Sequence, residues 1–359
     1  MNIAINCCHL SDKNDGAKTR IINLYSKLIP LRKNDFFFFF IPKNLNQKKF
    51  SKNFKFNNVK FFKVDLFSSK IFKRFLLGFN YWPKVFKKYN VDFFDHSYLP
   101  LLIIQKNKTK ILLTIHDLRY LNDWRNDFWR FLIFRIVLSI SFLNCDKLIT
   151  VSNTIKLILN KLYNRPISVI YNFINARKEH NLNNINNFVF TVGHSEKRKN
   201  FENLIKAFTL TKFNGYKGDL VICTNQGNNF ERIVKLINDS PYSKNIKLYR
   251  NKSNEFVKKM YKSTELFVLP STYEGFGIPI LEAAHYEKPI ILSNISVFKE
   301  ITLNRLHYFD PNDPSDIAEK MLIILNDKKK QSKLKISARL INKKFQARHI
   351  LIKFSNLFK

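Results

Sequence analysis

The sequence predicts an α/β protein made of two domains in tandem, each organised around a parallel β-sheet with helices on both faces. Three features point there. Short apolar runs alternate with longer segments of helical periodicity from one end of the chain to the other. A polar, Asn-rich stretch, residues 176–187 (ARKEHNLNNINN), breaks the alternation near the middle. The length of 359 residues suits two cores of about 150–200 residues each.

In the first half, strands are expected at Ile3–Asn6, Phe36–Ile41, Val91–Asp95, Lys110–Ile115 and Lys147–Val151. Helical spacing fills Arg20–Ile29, Lys70–Tyr89 and Asp127–Asn144 between them. The run Phe36–Ile41 is apolar throughout and stopped by Pro42, as a strand buried on both faces would be. A second series follows: Asn187–Val192, Asp219–Cys223, Ile246–Tyr249, Leu266–Leu269, Pro289–Ser293 and His307–Phe309. The expected organisation is an N-terminal domain over 1–175, a linker over 176–187 and a C-terminal domain over 188–340. Residues 341–359 would form a terminal helix able to pack back on the first domain. Ligands of such sheets bind at the carboxyl ends of the strands, so a cleft between the domains is the expected site.

Lys and Arg number 62 against 27 Asp and Glu, a net charge of +35. That charge suits a polyanion: a nucleic acid, an anionic membrane or a phosphorylated substrate. Over-use of Lys, Asn, Phe and Ile beside only 8 glycines also fits an AT-rich coding bias. The basic residues are spread along the whole chain and no nucleic-acid-binding motif accompanies them, which argues against nucleic acid as partner. Four cysteines without zinc spacing fit a reducing, cytoplasmic setting. The opening MNIAINCCHL has no basic region followed by a long apolar one, so it reads as a first buried strand rather than a signal peptide. No window is apolar enough to span a membrane. The nearest, Phe128–Leu143, is interrupted by Arg130 and Arg135. It reads as a mostly buried helix, with an interfacial helix as the alternative.

Two segments carry chemistry. In Leu266–Glu300 a buried strand ends at Pro270, a loop runs from Ser271 to Gly277, and Pro279 suits the first turn of a helix. The N–H groups of Phe276, Gly277 and Ile278 at that helix start make an anion site. Gly275 and Gly277 would permit unusual backbone angles. Glu274 lies just before the helix and Glu282 one turn into it. One carboxylate could face a sugar-like ligand while the other reaches more distant hydroxyls. Without a ligand, Glu274 is a loop carboxylate and Glu282 an ordinary surface residue. In the second segment, Phe190–Phe208, a strand ends at Gly193 and a basic loop leads into an amphipathic helix. Arg198 and Lys199 sit at that turn, a guanidinium fork and a mobile point charge for phosphate oxygens.

Together these segments resemble the nucleotide-sugar-dependent glycosyltransferases of family 4, which have the two-domain GT-B fold. Glu274-GFGIPIL-Glu282 looks like the family's E-x7-E motif. Gly193-HSEKRK-Asn200 looks like the G-x-x-E-P-R-K-N element of its mannosyltransferase-like branch. ILLTIHDLRYL (111–121), CDKLITVSNTIKLIL (145–159), VIYNFI (169–174) and YFDPNDPSDIAEKM (308–321) resemble further family elements. The likeness runs over residues 1–325. There are departures: Gly16-Ala-Lys-Thr-Arg20 has one glycine where the family usually has two, Phe173 replaces a glycine, and Lys197 replaces a proline.

The resemblance implies a GT-B architecture, two Rossmann-like domains with parallel sheets facing across a cleft. It implies retaining transfer of a hexose, mannose from GDP-mannose, to a glycan or lipid-linked oligosaccharide in cell-surface polysaccharide synthesis. UDP-linked glucose, galactose or N-acetylglucosamine is the alternative donor. Arg198 and Lys199 would hold the diphosphate, with Lys18 near the reduced glycine loop adding charge. Glu282 would bind the ribose, and Glu274 the donor sugar. Phe276, Gly277, Ile278, Gly193 and Gly16 would complete the donor cradle. His116 would sit beside the reacting sugar and Asp117 would contact the acceptor. No metal or other cofactor is implied. A peripheral site on the inner face of an anionic membrane would suit a lipid-linked acceptor. A catalytically silent scaffold of the same fold is the remaining rival, and intact Glu274, Glu282, Arg198 and Lys199 argue against it.

Overall fold

The computed structural model describes the chain apart from residues 13–15, 66–70, 104–107, 122–126, 176–186 and 226, with the backbone alone over 71–78. The expected linker thus lies outside the described residues except for Asn187, as does Lys70 at the start of the second expected helix. Two compact units result, one of Met1–Phe173 with Ala347–Lys359 and one of Ile174–Gln346.

The first unit runs β1 (Asn2–Asn6), α1 (Gly16–Leu28), β2 (Phe36–Pro42), α2 (Gln47–Ser51), β3 (Val59–Val64) and α3 (Ile71–Tyr89). It continues with β4 (Phe93–His96), β5 (Lys110–Ile115), α4 (Phe128–Asn144), β6 (Lys147–Thr150), α5 (Asn153–Asn160) and β7 (Ile167–Val169). All seven strands are parallel, in the order β3-β2-β1-β4-β5-β6-β7. The phenylalanine run of β2 is explained by burial on both faces. Phe39 packs with Phe50, Phe54 and Phe61 on one side, while Phe40 meets Phe62 and Trp82 on the other.

The second unit holds β8 (Phe188–His194), α6 (Phe201–Phe213), β9 (Asp219–Asn225), α7 (Phe230–Asn238), β10 (Ile246–Arg250) and α8 (Asn254–Ser263). There follow β11 (Leu266–Leu269), α9 (Ile278–His285), β12 (Ile290–Ser293), α10 (Ser296–Thr302), β13 (His307–Phe309), α11 (Pro314–Leu325) and α12 (Lys328–Lys344). Its six parallel strands are ordered β10-β9-β8-β11-β12-β13. The last helix, α13 (Ala347–Ser355), returns to the first unit. There Phe354 meets Tyr25 edge-on at 5.8 Å, and Ser355 Oγ accepts a hydrogen bond from Arg32 at 3.1 Å.

Two expectations are corrected here. Strands β3 and β7 were not anticipated, because β3 is a largely unburied edge strand whose apolar run is broken by Lys60 and Lys63, and β7 has only three residues. Helix α4 is not mostly buried: only Val137, Leu138, Ser141 and Phe142 are, while Trp129, Ile133, Ile136 and Leu143 stand in solvent. Both sides of α4 are apolar, so periodicity alone does not separate the inner face from the outer.

Candidate active site

In the second sheet, strand order reverses between β8 and β11, which pair directly through Leu266 with Val189 and Phe267 with Phe190. Their carboxyl ends emerge side by side, at the switch point where α/β sheets bind ligands. The loop after β8 carries Arg198 and Lys199, and the loop after β11 carries Glu274. Adjacency in the sheet therefore brings together residues over seventy positions apart.

The two loops are laced to each other. Thr272 N–H donates to Arg198 O at 2.8 Å. Asn200, left-handed at φ +56°, donates its amide to Pro270 O at 3.0 Å and Pro311 O at 2.6 Å. Ser195 Oγ fixes the start of the basic turn on Asn225 O at 2.7 Å. Gly193 leaves room for Lys199, since a Cβ there would lie 3.2 Å from Lys199 Cδ.

Lys199 and Arg198 converge on Glu274. The Lys199 ammonium donates to Glu274 Oε1, and Arg198 Nη1 donates to Oε2 at 3.0 Å. Ser271 Oγ also donates to Oε1, at 3.0 Å. Arg198 Nε turns to Glu196 Oε2 at 2.7 Å, so two carboxylates balance two cations. Burial pushes the Glu274 carboxyl up, but the Lys199 and Arg198 charges and the hydrogen bonds from Lys199 and Ser271 outweigh it and hold it below its usual range. The charges expected to divide between sugar and diphosphate thus neutralise one another in the chain itself.

Helix α9 starts at Ile278, with Gly277 left-handed at φ +101° and Pro279 in its first turn. The expected helix start is formed here, and the first N–H groups of a helix lack intrahelical partners. Among the described residues Gly275 shows no such angle, so unusual backbone geometry belongs to Gly277 alone of that pair. The Phe276 side chain is buried edge-on against Phe345. Glu282 is no ordinary surface residue: Tyr261 of α8 donates its hydroxyl to Oε2 at 2.8 Å. Burial raises the Glu282 carboxyl above its usual range, against the opposing pull of that bond and of Lys258.

The first unit holds Gly16, His116 and Asp117. Gly16 is exposed and opens α1. His116 follows β5, and its Nε2 is buried with no hydrogen-bond partner among the described residues. Burial pushes its pKa down to about 3, helped by the positive charge of Arg20 and by His9. The ring is therefore neutral at physiological pH. Asp117 accepts the Arg119 N–H at 3.4 Å and pairs with its guanidinium at 3.7 Å. Lys18 is buried and donates to Ser11 O at 2.9 Å, so its charge is engaged within α1's own neighbourhood. Arg20 ties α1 to the segment after β7 through Ile170 O at 2.9 Å and Asn172 Oδ1 at 2.7 Å.

Sequence reasoning did not assign Ser271, Asn200, Glu196 or Tyr261. The first three lie inside the motif segments and could have been found there, whereas Tyr261 belongs to the preceding helix and carries no local signal. Among the described residues, no group of three or more His, Cys, Asp or Glu is placed to hold a metal ion.

The comparisons with known proteins cover both units. Residues 16–178 match the model of Glycosyltransferase Family 4, and residues 172–340 match Glycosyl transferases group 1. The O-antigen chain mannosyltransferase RfbU of Salmonella typhimurium is 31% identical over 61% of this chain. The serotype-specific mannosyltransferase WbdA of Escherichia coli is 34% identical over 36%. The matched regions span 60% of the Salmonella protein and 16% of the E. coli one. Among solved structures, the sucrose-phosphate synthase of Thermosynechococcus elongatus superposes with a TM-score of 0.80 at 15% identity, over 99% of this chain and 98% of that one. A Rickettsia africae glycosyltransferase gives 0.74 at 17% identity, over 100% and 97%. With both halves matched from residue 16 to residue 340 and two parallel Rossmann-like sheets, the chain belongs to the family 4-like glycosyltransferases of the GT-B fold.

Proposed function

We propose that the protein transfers mannose from GDP-mannose to a lipid-linked glycan in the synthesis of a cell-surface polysaccharide such as an O-antigen. The observation that carries the reading is the Arg198–Lys199–Glu274 cluster at the sheet switch point beside the α9 N-terminus. The mannosyltransferase names of relatives at 31–34% identity support the sugar and the pathway class.

In this reading the glycosidic bond to the diphosphate breaks as an acceptor hydroxyl adds to the anomeric carbon and passes its proton to the departing phosphate oxygen. Arg198 and Lys199 offset the charge growing on the leaving diphosphate, as do the N–H groups at Gly277 and Ile278. Glu274 then holds sugar hydroxyls and faces the positive charge that develops on the ring. Glu282 accepts the ribose hydroxyls. In the first unit, His116 acts as a neutral hydrogen-bonding group toward the reacting sugar, and Asp117 contacts the acceptor. Transfer with retention and without a metal follows the family likeness. A cytoplasmic, membrane-peripheral location suits the lipid-linked acceptor.

Calorimetry with GDP, UDP and their sugars tests the donor, and GDP is expected to bind tighter. Tighter binding of UDP overturns the mannose assignment. Donor-sugar hydrolysis without acceptor should be lost in Glu274→Ala and Lys199→Ala. Full rates in both would remove the proposed site.

A further inference from the structure

Helix α4 turns a continuous apolar stripe to solvent. Its inner side is fixed in the first unit: Ser141 Oγ accepts the Leu101 N–H at 2.9 Å, and Phe142 stacks on Tyr163 with centroids 4.1 Å apart. On the opposite side Trp129 is 71% exposed, Ile133 49%, Ile136 51% and Leu143 81%. Their spacing along the helix places them on one face. Phe128, 55% exposed, extends the stripe at its N-terminal end.

Within α4 itself the charge has one sign, and the carboxylate that caps it, Asp127, pairs with Arg130 at 3.3 Å, which leaves Arg135 as the unshared cation of the helix's described ion pairs. Residues 128–144 contain no Asp or Glu, and the exposed Arg130 and Arg135 lie to either side of the stripe. Arg130 rests over the Tyr120 ring at 5.6 Å and Arg135 over Phe131 at 5.8 Å, so the guanidinium groups sit among aromatic rings. Apolar side chains flanked by aromatics and arginines match the boundary between lipid headgroups and acyl chains. No helix of the described residues is long and apolar enough to cross a membrane.

We propose that the outer face of α4 docks the first unit onto an anionic lipid bilayer, with Trp129, Ile133, Ile136 and Leu143 inserted and Arg130 and Arg135 among the headgroups. A second copy of the chain is the competing occupant, and charge decides against it. Each copy carries +35, which repels its like and draws the chain to anionic lipid. The choice of a bilayer also rests on the lipid-linked acceptor proposed above. Vesicle binding is measured with no sugar donor present, so the two readings fail separately.

The test is co-sedimentation of the full chain with phosphatidylcholine vesicles, with and without about 30% phosphatidylglycerol. Binding to the anionic vesicles is expected to be at least ~10-fold stronger and to weaken with salt. The combined Trp129→Gln, Ile133→Gln and Ile136→Gln variant changes exposed positions only. It should lose at least ~10-fold in vesicle affinity while keeping its donor-hydrolysis rate. Separately, Arg130→Gln with Arg135→Gln should reduce the preference for anionic vesicles. Unchanged binding in both variants, or no binding of the wild-type chain to either vesicle, overturns the proposal. So does a concentration-dependent dimer in sedimentation velocity that the apolar substitutions disperse.

Discussion

Glu274 Oε2 accepts a hydrogen bond from Arg198 Nη1 at 3.0 Å, across 76 positions of sequence, while Lys199 takes the other oxygen. The cations proposed for the diphosphate are thus already paired with an anion that would repel it. Glu274→Gln keeps the shape and an acceptor oxygen but removes the charge. Calorimetry should find nucleoside diphosphate bound about 3–10-fold tighter by this variant. Donor-sugar hydrolysis should fall about 100-fold, because the carboxylate facing the developing positive charge is gone. Weaker diphosphate binding would place that group away from Arg198 and Lys199.

Glu282 gives a prediction of pH dependence. Its carboxyl is raised by burial, and the Tyr261 hydroxyl at 2.8 Å opposes that rise. A ribose hydroxyl donates best to the ionised form, so nucleotide affinity should be full above the raised pKa and fall as pH drops through it. Tyr261→Phe removes the opposing bond, moves the midpoint of that fall upward and costs about 1–2 kcal/mol of stability. Affinity titrations of both proteins from pH 4 to 8 check the order of the midpoints. Coincident midpoints would mean that Glu282 does not contact the nucleotide.

The strands that build the site were legible because they are apolar runs closed by Gly or Pro. Gly193 ends one such run, and Pro270 the other. The pairing of Glu274 with Arg198 and Lys199 was not legible from spacing. It depends on β8 lying beside β11, and strand order in a sheet is not written in chain order. The Glu282–Tyr261 bond was missed for a related reason, since it joins two helices through tertiary packing. Lys18 shows the converse. A basic residue near a glycine looked free to meet phosphate, yet its ammonium has a carbonyl partner at Ser11.

Gly277 should tolerate no side chain. At φ +101° an L-residue is strained, and an added Cβ would lie 3.0 Å from both Ile280 Cδ1 and Phe298 Cε1. Gly277→Ala should destabilise the second unit by about 2–4 kcal/mol, read by urea unfolding. It should also weaken diphosphate binding by re-aiming the first N–H groups of α9. Gly215 provides the control. It too has positive φ, at +92°, but nothing lies within 4 Å of a Cβ there. Gly215→Ala should cost only about 1 kcal/mol and leave binding unchanged.

His116 gives the first unit an acid-sensitive element. Burial drives its pKa from 6.5 down to about 3, so the folded unit holds the neutral ring while the unfolded chain takes up a proton near pH 6.5. A depressed histidine pKa means that stability is full above the unfolded value and declines as pH falls toward the folded one. At pH 5 the loss from this group is at most about 2 kcal/mol. His96, pushed down to about 4 by burial, adds a slope of the same sign. His116→Gln should flatten the decline between pH 6.5 and 4.5 by close to one proton's worth, measured as the pH dependence of urea midpoints. It should also cut sugar transfer, if the neutral Nε2 meets the reacting sugar, without changing the calorimetric affinity for nucleoside diphosphate. An unaltered pH slope would show that His116 is protonated as easily in the folded chain as in the unfolded one.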